Sequence, residues 1–171
     1  MNILDIIKGR RSIRAYLNKE VPKNIIEELK ECLIWAPSAG NLQARKFYFI
    51  FDQKIKNKLV DAALGQTFIS EAPLVIIACA DLTIERHYGK RGSELYALQD
   101  VAASIQNLAL YCYEQGLGTV WIGAFNENKV SRILNLPSVL RPISIVPIGY
   151  PAESPEPPDR VRKDVAVEEI L

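Results

Sequence analysis

Residues 116–125 read GLGTVWIGAF, two close glycines followed by a run of β-branched and aromatic side chains. A dinucleotide-binding fingerprint also opens on close glycines, but it needs a strand before them and a helix after them. Here the order is reversed: the longest helical pattern of the chain, residues 95–114, precedes the glycines and a strand follows. This turns the reading away from a doubly wound nucleotide sheet and toward three layers, with helices on both sides of a mixed sheet.

Working outward, the 95–114 pattern carries a stripe of small and apolar side chains, Leu98, Val101, Ala102, Ile105, Leu108, Ala109 and Cys112, suited to close helix packing in a core or an interface. The segment before it, LTIERHYGKRGSE at 82–94, is polar and glycine-bearing and reads as a mobile surface connection. PLVIIACA at 73–80 is a short continuous apolar run, as expected of a strand buried on both faces. KFYFIF at 46–51 and ISIVPIGY at 143–150 supply further strands. Helical spacing occurs over 3–9, 25–36, 55–63 and 127–134, with Gly9, Pro37 and Gly65 as stops for the first three. After Tyr150 four prolines fall between Pro151 and Pro158, so residues 151–171 form an extended tail that must lie on some surface. Residues 1–150 make one compact domain, to which the tail belongs.

The 171-residue chain, 49% hydrophobic and 24% charged, is large enough to bury a core without disulfides or metals. Its 21 Lys plus Arg against 20 Asp plus Glu leave no global field for nucleic acid or an acidic membrane. No apolar run reaches the roughly 18 residues of a membrane span, and the first residues lack a cleavable signal pattern, so a cytoplasmic location is expected. Cys32, Cys79 and Cys112 are widely separated in apolar segments and His87 is the single histidine, which argues against a metal centre or a histidine-activated nucleophile.

Two stretches stand out. KGRRSIRAYLNKEVP at 8–22 packs Arg10, Arg11 and Arg14 around Ser12. Guanidinium forks match phosphate in two-point contact, so the cluster reads as a phosphate cradle or, equally, as a solvated helix end. Arg160, Arg162 and Lys163 form a second basic cluster in the tail; if the two converge, a phosphate monoester is the simplest guest. APSAGNLQARKF at 36–47 combines turn residues with amides and a hydroxyl, suited either to an ordinary helix-to-strand turn or to a loop that hydrogen-bonds a flat heteroaromatic ring.

Taken in order, RRSIR, APSAGNLQ, GLGTVWIGAF and PIGYPAE with its basic tail resemble the nitroreductase-like family of FMN-dependent oxidoreductases over nearly the whole chain. The resemblance implies an α+β fold in an intertwined homodimer, with FMN at the interface and the tail wrapped over the partner. By matching position it implies that Arg10, Arg11 and Ser12 hold the FMN phosphate and ribityl oxygens, joined by Arg160 and Arg162, and that Arg14 lies against the pyrimidine edge. Pro37, Ser38, Ala39, Asn41 and Gln43 match the loop that reaches the partner's FMN, and Trp121, Ile122, Gly123 and Ala124 match the segment lining the ring. This chain departs from longer members in having glycine at 123 where they carry an acid, and GQTFIS before the second strand where they carry a lysine. Gln66 is a substitute polar contact to which no role is assigned. The 82–94 connection is a partial lid, with His87, Tyr88 and Arg91 as contacts, or simply a solvated loop.

The implied reaction is ping-pong hydride transfer from NADH or NADPH to FMN and on to a small nitroaromatic, quinone or flavin acceptor. FMN carries the bond-making, so no catalytic side chain is named and no metal is required. A specialised FMN-dependent dehydrogenase or dehalogenase of the same fold, and a non-catalytic FMN-binding or storage protein, are the alternatives. A nucleic-acid module is disfavoured by the neutral charge balance and the absence of interleaved aromatics.

Overall fold

In the computed structural model, residues 2–170 are described; Met1 and Leu171, the outer limits of the expected domain and tail, lie outside them. The first helix, α1 (Ile3–Gly9), is capped by the Asn2 side chain, which accepts the Asp5 N–H at 3.0 Å. It is followed by α2 (Lys23–Ile34), strand β1 (Arg45–Ile50), α3 (Gln53–Ala62), a short α4 (Phe68–Glu71), β2 (Leu74–Asp81) and α5 (Glu85–Arg91). The second half runs α6 (Ala97–Glu114), β3 (Gly118–Thr119), α7 (Glu127–Leu134), β4 (Leu140–Gly149) and α8 (Lys163–Ala166).

The strands form one sheet in the order β1-β2-β4-β3. Every seam in it is antiparallel, which corrects the expected mixed sheet; among the described residues the one parallel pairing is an isolated bridge between Ser12 and Thr119. The sequence held no signal for this, since strand direction is set by how the connecting helices return the chain. The three layers are as expected. Side chains alternate across a strand, so Leu74, Ile76, Ala78 and Ala80 of β2 face a core shared with Leu29 and Leu33 of α2 and Val101 and Leu108 of α6. Val75, Ile77 and Cys79 face a second core with Leu59 of α3, Ile69 of α4 and Val130 of α7. Full burial of side chains such as Ile77 and Leu108 stabilises the fold by about 1.5–3 kcal/mol each.

Three elements differ from their sequence reading. GLGTVWIGAF holds only two residues in the ladder: the register that pairs Thr119 with Ile148 and Ile122 with Ile145 sets Val120 opposite Pro147, which has no N–H to donate. The 82–94 segment is helical rather than a loose connection; its turns are tied by Asp81, which accepts the Thr83 N–H at 2.9 Å, and by the Ser93 hydroxyl donating to Glu85 at 2.7 Å. On α6 the buried face is centred on Ala97, Asp100, Val101, Ser104, Ile105, Leu108, Ala109 and Cys112, so the stripe includes an acid and a hydroxyl that the apolar pattern omitted.

Candidate functional site

Three distinct regions gather the residues singled out by the sequence. The first is at the C-terminal end of α1. Arg10 caps the helix, its N–H reaching Ile6 O at 3.0 Å. The next residues leave it extended: the Ile13 N–H donates to Thr119 O at 3.0 Å, laying the arginine segment alongside β3. That approach requires glycine at 118, where a Cβ would lie 2.6 Å from Ile13 Cγ1.

The start of the tail closes the other side. Leu17 N–H donates to Tyr150 O at 2.8 Å and Ala152 N–H to Ala15 O at 2.9 Å, and the Glu153 carboxylate accepts the Arg14 N–H. Between them lies a cavity of about 340 Å³ whose walls include Arg10, Arg11, Tyr113, Thr119 and Glu153.

Within this cavity Arg11 bends one guanidinium nitrogen back over the helix end, donating to the carbonyls of Lys8, Gly9 and Arg10 at 2.7, 3.0 and 2.9 Å. Its Nε is buried and has no partner among the described residues. Such an orphaned donor costs about 1–3 kcal/mol unless a ligand accepts from it. Burial, followed by the nearby guanidiniums of Arg160 and then Arg11, holds Arg10 below the usual arginine pKa. Since arginine does not lose its proton in a protein, the shift marks a crowded cation rather than a neutral one. The charge of Arg160 in the tail thus acts on Arg10, while the Arg160 side chain itself is exposed and donates to Asp159 O at 3.2 Å. Arg162 does not join them; its Nε donates to Asp164 at 3.0 Å. Ser12 is half-buried on the bridge to Thr119, and the Arg14 side chain is exposed.

The second region is the loop after α2. Pro37 is exposed, Ser38 precedes a 3-10 turn over Ala39–Asn41, and Gly40, Asn41 and Gln43 adopt left-handed φ of 55, 55 and 52°. The Ser38 hydroxyl accepts the Gln43 N–H at 3.1 Å. Arg45 gathers the carbonyls of Ile34, Ala36 and Pro37 at 3.0, 2.6 and 3.0 Å, and burial lowers its pKa despite the opposing pull of Asp100. Asp100, 3% exposed, accepts the N–H of Ala39 at 3.0 Å and of Ala44 at 3.2 Å. Neither Asp100 nor Arg45 was singled out in the sequence, although an acid at helical spacing between Ala97 and Ser104 was a readable irregularity.

A third segment, Trp121 to Ala124, leaves the sheet beside β4. Trp121 is 43% exposed, Ile122 is buried on its bridge to Ile145, and Gly123 and Ala124 are exposed. Gln66 anchors this segment, its amide donating to Ala124 O at 3.2 Å and Ala63 O at 2.9 Å. A Cβ at Gly123 would meet only Trp121 Nε1, at 3.9 Å, so packing does not dictate the missing side chain. In the 82–94 segment His87 is exposed, Tyr88 reaches over Gly40, and Arg91 Nε donates to the Tyr96 hydroxyl at 3.0 Å.

One chain does not bring the arginine cavity and the 37–43 loop together. The loop is anchored at Asp100 in the first turn of α6, whereas the cavity is lined by Ala109 and Tyr113 near its end, about 14–20 Å further along at 1.5 Å per residue. Among the described residues no group of three His, Cys, Asp or Glu could hold a metal ion, and no helix is long and apolar enough to cross a membrane.

Against known proteins, the model of the Nitroreductase family matches residues 7–70 and 63–150. An NADH dehydrogenase of Thermus thermophilus is 32% identical over 180 residues, spanning 89% of this chain and 88% of that protein. An FMN reductase of Bacillus subtilis, whose name specifies NAD(P)H, is 28% identical over 165 residues, spanning 88% of this chain and 66% of its own length. Nitroreductase A from Vibrio parahaemolyticus superposes with a TM-score of 0.92 at 25% identity, covering 100% of this chain and 77% of that one.

Proposed function

The chain belongs to the nitroreductase family, and from that premise we propose that it is an NAD(P)H-dependent FMN oxidoreductase that passes electrons to small nitroaromatic, quinone or flavin acceptors. The observation that carries the reading is the buried, unpartnered Arg11 Nε on a residue that shares a cavity wall with Arg10, whose cation is crowded by its neighbours. A phosphate monoester accepts from the orphaned donor and neutralises the like charges in one step, so the residues present fit the phosphate of FMN. When bound, FMN would supply the hydride and electron-transfer chemistry that links NADH or NADPH to the acceptor in two half-reactions.

The chain's own residues bind and orient. Arg10, Arg11, Ser12 and Arg160 hold the phosphate end, and Arg14, exposed next to the cavity wall, offers its cation to the ring's pyrimidine edge, where positive charge favours the reduced, anionic form. Arg162 enters this grip only by releasing Asp164. Trp121, Gly123 and Ala124 would line the ring, with Gln66 fixing the Ala124 carbonyl and the Ile122 side chain buried in the core behind them.

Because the loop of Pro37, Ser38, Ala39, Asn41 and Gln43 stands away from its own cavity, it serves the cavity of a second copy, which makes the working unit a homodimer. Supporting this, the tail presents Val161, Val165, Val167 and Ile170 to solvent at 64, 70, 64 and 93% exposure, an apolar strip suited to wrapping over the partner.

The test is a pair of titrations with FMN and riboflavin, which differ only by the phosphate. FMN should bind at least about tenfold more tightly, the worth of one charge-assisted contact. Equal affinities would place the cradle elsewhere.

A further inference from the structure

The geometry points to Asp100 as the positioning residue of the 37–43 loop: its carboxylate fixes, before any ligand binds, the backbone shape that presents Ser38, Asn41 and Gln43 to FMN. This rests on the reading that the loop meets the flavin.

One Asp100 oxygen accepts the Ala39 N–H at 3.0 Å and the other accepts the Ala44 N–H at 3.2 Å, so a single side chain grips the loop at both ends. Between those grips lie Asn41 and Gln43 at φ of 55 and 52°, a conformation that L residues hold only when their surroundings over-determine it. The tip, Gly40 to Gln43, is exposed; the Ser38 hydroxyl accepts the Gln43 N–H at 3.1 Å and Tyr88 lies over Gly40, while Asp100 ties the two ends from which the tip is slung to the helix beneath.

The carboxylate sits on an immobile base. Asp100 is 3% exposed, and the Ser104 hydroxyl one turn later donates to Leu33 O at 2.9 Å, locking α6 to the end of α2. On the acceptor side Arg45 holds the carbonyls of Ala36 and Pro37, so the loop is held through its N–H groups by an anion and through its carbonyls by a cation. Asparagine cannot replace this carboxylate. It offers one acceptor oxygen, and its NH₂ would face an N–H donor.

The experiment compares wild type with Asp100→Asn by amide hydrogen exchange without flavin, then by FMN titration and the visible spectrum of the bound flavin. In FMN-free wild type, Ala39 and Ala44 should already be protected, and FMN should add little there. Asp100→Asn should lose protection at one or both, bind FMN about tenfold more weakly, and shift the flavin bands because the loop meets the ring in a different shape. A merely structural residue would lower the melting temperature and leave the bands in place.

Unchanged affinity and bands in Asp100→Asn, or wild-type Ala39 and Ala44 protected only after FMN is added, would overturn the proposal. The second result needs no variant, so it stands even if Asp100→Asn does not fold. Wild type that binds no FMN would instead refute the functional reading, and the exchange of the free protein would still decide whether Asp100 holds the loop.

Discussion

Replacing Arg10 by alanine separates its two roles in charge balance. In the free protein Arg10 is held below the usual arginine pKa by burial and by Arg160 and Arg11, so its removal relieves like-charge crowding. It is half-buried and caps α1 through its backbone N–H, which alanine retains. The FMN-free protein should therefore keep its stability within about 0.5 kcal/mol. With ligand bound the balance reverses, because Arg10→Ala removes a charge-assisted contact to phosphate worth about 1.5–3 kcal/mol, or roughly 10- to 150-fold in affinity. The assay is quenching of flavin fluorescence on titration, run in parallel with riboflavin and with thermal melts of the free protein. FMN affinity should fall in that range, riboflavin affinity should not move, and the melting temperature should hold. An unchanged FMN affinity, or an equal loss for riboflavin, would refute the assignment of Arg10 to the phosphate.

Other perturbations probe the frame around the cradle. Gly118→Ala should displace Ile13, break the Ser12–Thr119 bridge and weaken FMN binding along with stability, because its Cβ would lie 2.6 Å from Ile13 Cγ1; melting and FMN titration of this variant check it. FMN should slow tryptic cleavage after Arg160 by drawing that guanidinium onto the phosphate, and riboflavin at equal occupancy should not. The hydrogen bond from Arg141 holds Glu127 below its ordinary pKa of 4.5 against the opposing effect of burial. A depressed acid contributes stability above its unfolded pKa and loses it as pH falls through the folded value. The pair is nearly half exposed, so Glu127→Gln should cost under about 1 kcal/mol at pH 7 and less still below pH 4, measured by urea unfolding at both.

What could be read from the sequence was what local chemistry fixes. The apolar run of β2 had to be a strand buried on both faces, and the helical spacing over 127–134 marked α7, which the structure places at Glu127–Leu134. The antiparallel seams were not readable, because they depend on long-range pairing. The helical turns over 82–94 were hidden because their buried positions, Ile84, Gly92 and Ser93, are few and irregularly spaced. Arg11 looked like a plain phosphate ligand, whereas one of its guanidinium nitrogens caps α1 and its Nε is buried without a partner among the described residues. Asp100 escaped notice because an acid within a helical stripe reads as an interruption until the loop it grips is seen folded against it.

The most direct test of the central claim is the visible spectrum of the FMN-loaded protein under anaerobic conditions, recorded before and after NADH and then NADPH. The account predicts flavin bands that bleach with at least one nucleotide and return when a quinone is added. Bands that persist with both nucleotides, or a protein that retains no FMN, would contradict it.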